Sequence, residues 1–100
     1  MTVHSVLSLE FNELVPSIME RFMKEGHLPH FQRLFDSSDV FTTDAGTDDP
    51  RFLEPWIQWV TVHTGVDFDQ HGILQLSEGD KYPGKRIWDV VADAGRPLCR

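Results

Sequence analysis

One cysteine, Cys99, is too few to close an internal disulfide, so nothing in the sequence marks an oxidising compartment. No apolar run approaches the roughly 20 residues that a membrane helix needs, and the first residues lack the basic flank of a signal peptide. The chain is therefore expected to be soluble and cytoplasmic, with no membrane partner. Basic residues are scarce as well: nine Lys and Arg stand against sixteen Asp and Glu, for a net charge of −7. No basic stripe exists to displace counterions, which argues against binding along a nucleic-acid backbone. Acidity alone identifies no partner, since it serves solubility in any case. Repeats and low-complexity segments are absent too.

What is present reads as one small domain of 100 residues, with three tryptophans to help fill a core. Residues 3–11, VHSVLSLEF, are β-branched and apolar and end at the polar pair Asn12-Glu13, the pattern of a buried first strand. Pro16 suits a first helical turn, Ile18, Met19, Phe22 and Met23 recur at helical spacing, and Gly26 supplies a stop. After the link His27-Leu28-Pro29, a second short helix carries Phe31, Leu34 and Phe35 on its buried side. VFTTDAG begins as a short strand, and DAGTDDPRF is an acidic, turn-rich loop. Trp56 to His63 is apolar on more than one face, as a buried helix is. A turn-like stretch, 81–85, precedes an amphipathic helix from Ile87 to Ala94, and RPLCR reads as the start of a further strand.

This alternation predicts an α/β domain layered on a parallel sheet. The sheet would be incomplete over residues 1–100, with uncovered strand edges open to self-association. A compact α-rich miniature is the alternative.

Three landmarks in order carry a resemblance: Gly26-His27-Leu28-Pro29-His30-Phe31, then Thr64-Gly65, then His71-Gly72-Ile73. With them the chain resembles the N-terminal portion of the alkaline phosphatase superfamily, closest to its type I phosphodiesterase/nucleotide pyrophosphatase branch. The resemblance implies an α/β sandwich with zinc or another divalent metal pair at the carboxyl edge of its sheet. There a Thr, Ser or Cys attacks a phosphate or sulfate ester, a small-molecule substrate. Two such ions stabilise both the entering and the leaving oxygen.

Two positions depart from that pattern. Counting back from Gly26, the first metal-binding aspartate falls on Asn12, whose amide brings no charge; Glu10 and Glu13 are near enough to compensate, and strand alternation puts Glu10 on the same side as Asn12. A cap or turn after the strand is the structural reading of Asn12. Counting back from Thr64-Gly65, the nucleophile falls on Pro55, which has no hydroxyl. Glu54 beside it is the candidate catalytic group, as metal ligand or water activator, although an acid before a helix also suits the helix dipole. Trp56 and Gln58 are the candidate substrate contacts, with core filling and backbone capping as their structural readings. Trp59 is read as core, and His63 and His71 as hydrogen-bonded structural histidines. Asp44, Asp48 and Asp49 form a solvated acidic loop.

The functional expectation is thus the N-terminal part of a metal-dependent phosphodiesterase-like or sulfatase-like hydrolase, inactive in isolation. The alternatives are a non-catalytic binding or structural module and a truncated remnant.

Overall fold

Proline sets the beginning of one helix after another along this chain. A computed structural model describes residues 5–99. Helix α1 is Pro16–Lys24, α2 is Pro29–Asp36 and α3 is Pro55–Thr64, each opening on its proline. That ring has no N–H to leave unpaired in a first turn and holds φ near the helical value. A 3-10 turn, Pro50–Phe52, opens the same way. Helix α4, Phe68–His71, a 3-10 stretch, Leu76–Lys81, and helix α5, Ile87–Asp93, complete the order. No helix among the described residues is long and apolar enough to cross a membrane.

The chain divides between Thr43 and Asp44 into two compact units. In the first, α1 packs on α2. Of the apolar side chains that define α1, Met23 is buried, while Ile18 and Phe22 remain exposed. The edge of the Phe11 ring meets Phe31 of α2 at 5.8 Å between centroids, fastening the segment before α1 onto the helix pair. Between them, Asn12 and Glu13 form a turn in which Glu13 takes φ of +55°. A side chain in that region crowds its own carbonyl, at a cost of about 1 kcal/mol.

The second unit is built around α3. Ile57 and Val60 of this helix are buried with His71 and Ile73, and Ile57 is only 1% exposed. The helix ends at Gly65, in the left-handed conformation at φ +70°, where its N–H bonds the Thr61 carbonyl at 2.8 Å. Phe52 stacks on Phe68 at 4.6 Å, holding the first 3-10 turn against α4. Helix α5 is secured at its start by Asp89, whose carboxylate accepts from the Arg86 N–H at 2.9 Å. Its Arg86 guanidinium also donates to the Gly79 carbonyl, and Lys85 pairs with Asp93.

The expected α/β fold is not what forms: the described residues are helical, without a strand or a sheet. Residues 5–11 form no strand and are exposed: Val6 is 86% and Leu7 81% exposed. Val3 and His4 lie outside the described residues. VFTTDAG likewise forms no strand, with Phe41 85% exposed, and residues 96–99 form no regular element. The physical reason is that a strand exists only through its neighbour's N–H and C=O groups. A β-rich run of side chains cannot supply those partners. Self-association through sheet edges loses its basis along with the sheet.

Burial in the second unit is concentrated on so few side chains that one truncation is decisive. Ile57→Ala should lower the unfolding free energy of that unit by about 2–5 kcal/mol, measured by urea denaturation followed through tryptophan fluorescence.

Candidate functional site

Glu10 and Asn12 both line one depression of about 520 Å³ in the first unit, together with Phe11 between them and Glu13, Leu14 and Val15 after them. Apolar side chains form most of its wall, among them Phe11, Ile18, Phe22, Leu28 and Phe31. Glu13 joins Glu10 there, and both are exposed. The depression is thus an apolar bowl with two carboxylates, and among the described residues no Lys, Arg or His lines it.

Glu54 sits in the second unit as the residue before α3. Its carbonyl accepts from the N–H groups of Ile57 at 3.0 Å and Gln58 at 3.1 Å, while its side chain makes no cap bond. Pro55 is the first residue of the helix proper. The two residues therefore start α3, and the carboxylate lies where the helix dipole favours it.

The candidate substrate contacts use their polar atoms inside the unit. The Trp56 indole N–H donates to the Leu74 carbonyl at 3.2 Å, holding residues 73–75 to α3. The Gln58 amide donates to the Phe52 carbonyl at 2.7 Å, holding the preceding 3-10 turn. Trp59 stacks on His63 at 5.4 Å, and His63 tilts against Trp88 of α5 at 4.8 Å. In the acidic loop, Asp44 accepts from Gly46 N–H at 2.7 Å, and Asp49 pairs with Arg51 at 2.6 Å. The Arg51 hydrogen bonds hold the Asp49 carboxyl below its usual range.

A zinc pair fits these residues poorly. Among the described residues no three His, Cys, Asp or Glu side chains gather as a metal would need. Glu10 and Asn12 bring one carboxylate and one amide to the bowl, short of the four donors of a closed zinc site.

His71 is the best-defined polar centre. It is 6% exposed, and its Nδ1 accepts from Ile73 N–H at 2.9 Å, which puts the ring proton on Nε2. Nε2 faces the Thr61 hydroxyl at 3.2 Å. Burial pushes the imidazole below its ordinary pKa, against the opposing pull of Asp67, a hydrogen bond to the Ile57 backbone and Asp69. One side chain thus ties α3 to the turn at Gly72, the structural part read for it in the sequence. Thr61, its partner, carried no sequence signal. Glu13 carried a weak one, as half of a polar pair closing an apolar run.

The pH dependence follows from that neutral ring. The unfolded chain binds a proton at the ordinary histidine value of about 6.5, whereas the folded chain resists it. This contribution to stability is complete above that value and is lost as pH falls below it toward the depressed folded-state value. The thermal midpoint of the second unit should therefore drop between pH 7.5 and 5, and His71→Gln should remove part of that slope, as followed by circular dichroism.

No protein-family model, no curated protein and no solved structure matches this chain.

Proposed function

We propose that this chain is a non-catalytic polypeptide-binding module, carrying landmarks similar to those of phosphodiesterase-like hydrolases without their attacking group. The observation that carries this reading is the apolar bowl of the first unit, together with the exposed Val6, Leu7 and Leu9 before it. Apolar surface gathered in this way marks an interaction site, whereas scattered single residues would not. A volume of about 520 Å³ is within the range of pockets that seat one or two anchor side chains. A neutral amphipathic peptide with leucine and phenylalanine on one face is the direct probe. It should shift the backbone amide resonances of residues 10–31 saturably and leave those of α3 unmoved. Absence of any saturable shift at residues 10–31 would remove this reading.

The second reading is the N-terminal part of a metal-dependent ester hydrolase, favoured by the order of Gly26-His27-Leu28-Pro29, Thr64-Gly65 and His71-Gly72-Ile73. Pro55 stands where that chemistry requires a nucleophile, and Glu54 beside it begins a helix. The purified chain with zinc and a nitrophenyl phosphodiester should release nitrophenol no faster than zinc alone. Turnover that disappears in Glu54→Ala would instead favour the hydrolase.

A further inference from the structure

Beyond Gly72 the chain is strapped down by three hydrogen bonds of different kinds. His71 Nδ1 accepts from the Ile73 N–H at 2.9 Å, the Trp56 indole N–H donates to the Leu74 carbonyl at 3.2 Å, and the Leu74 N–H donates to the Glu78 carboxylate at 3.2 Å. Within this strap Ile73 is only 4% exposed. The indole bond does not titrate. The Leu74 N–H, with Lys81 nearby, holds the Glu78 carboxyl below its usual range, so that bond is also unchanged in mild acid.

The His71 bond is the one that a proton breaks. A backbone N–H is met only by a bare ring nitrogen, and a proton on Nδ1 sets donor against donor. Nε2 carries its hydrogen in both states, so its contacts with the Thr61 hydroxyl and the Ile57 backbone persist. The chemical change is therefore confined to the side of the ring that faces the strap. The charges acting on the ring are Asp67 and Asp69, from the cap and first turn of its own helix. Helix α3 brings the neutral Thr61 hydroxyl and Ile57 backbone to it, and the 3-10 stretch brings Glu78 to the strap.

We propose that His71 is an acid-operated latch: protonation at Nδ1 releases Ile73 and Leu74 and uncovers the Ile73 side chain while α3 stays helical. This local opening is distinct from unfolding of the unit. In the open strap the ring takes its proton at about the ordinary value of 6.5, whereas burial opposes that proton in the closed one. One linked proton makes opening about tenfold more favourable for each pH unit below that value, until the closed ring itself titrates.

Native-state hydrogen exchange on the full chain, in low and graded urea, tests the latch. The Ile73 protection factor should fall about tenfold between about pH 6.5 and 5.5, with little dependence on urea. The Gly65 N–H, bonded to the Thr61 carbonyl in α3, should be better protected at each pH and lose protection as urea rises. His71→Gln keeps an acceptor for the Ile73 N–H without a titrating group, so its Ile73 protection should not change over the same interval. A pH-independent Ile73 in the native chain would overturn the latch, and that measurement needs no variant. Equal protection and equal urea dependence at Ile73 and Gly65 would overturn it too, since the opening would then be unfolding of the whole unit. A tenfold fall persisting in His71→Gln would assign the effect to another group and overturn it as well.

Discussion

How little apolar surface each unit hides governs the rest of this structure. Met23, Ile57, Val60 and Ile73 are the buried hydrophobic side chains among the described residues. Full burial of one such side chain stabilises by roughly 1.5–3 kcal/mol, while ordering each residue's backbone costs about 1–2 kcal/mol. The first unit, with Met23 as its buried hydrophobic residue, is the more exposed to this imbalance. Its helices have nine and eight residues, below the roughly 12–15 at which an isolated helix becomes marginal in water. A partner that covers Phe11, Phe22 and Phe31 would thus consolidate α1 and α2 as well as occupy a surface. Binding there, if it occurs, would be coupled to ordering of that unit for this reason.

The second unit solves the same shortage with polar fasteners. Trp56, Gln58 and His71 each reach from α3 or α4 to backbone groups, and Thr61 receives the histidine. These side chains are three of the most chemically suggestive in the sequence, and their hydrogen bonds give each a structural part. Bonds of this kind contribute about 1 kcal/mol each when both partners are satisfied, and leaving one partner buried and unpaired costs more. A short chain that buries few methyl groups gains specificity by such means. The aromatic series Trp59, His63 and Trp88 extends the arrangement to α5.

Helices were the legible part of this sequence. Pro16 announces a start by local chemistry and Gly26, Gly65 and Gly95 follow the ends, so α1, α2, α3 and α5 fall near their expected ranges, although Pro29, read as part of a link, and Pro55 also open helices. Strands were not legible, because VHSVLSLEF carries the side chains of a strand but no information about a neighbour to bond. Alternation does not account for the bowl that Glu10 and Asn12 share, because their neighbours Phe11, Glu13, Leu14 and Val15 line it as well. Glu54 was legible in its plainer sense, as an acid ahead of a helix. The left-handed Glu13 was not, since a turn at Asn12 permits several backbone solutions and Asn is the commoner residue in that conformation.

The ordered landmarks deserve weighing against this local chemistry. Gly65 and Gly72 each follow a helix immediately and hold φ of +70° and +67°. Thr-Gly and His-Gly are therefore also what a helix needs in order to stop. Capping explains the glycine in each motif but not the residue before it. His71 is explained separately, since only a ring with an acceptor nitrogen takes the Ile73 N–H while its other nitrogen meets Thr61. Thr64 too has local work, donating to the Val60 carbonyl at 2.7 Å and accepting from Val66 N–H at 3.2 Å. Two of the three landmarks can thus be accounted for by the physics of ending α3 and α4. Gly26-His27-Leu28-Pro29 is accounted for in part, with Leu28 lining the bowl and Pro29 opening α2. What local chemistry leaves unexplained is the order and spacing of the three.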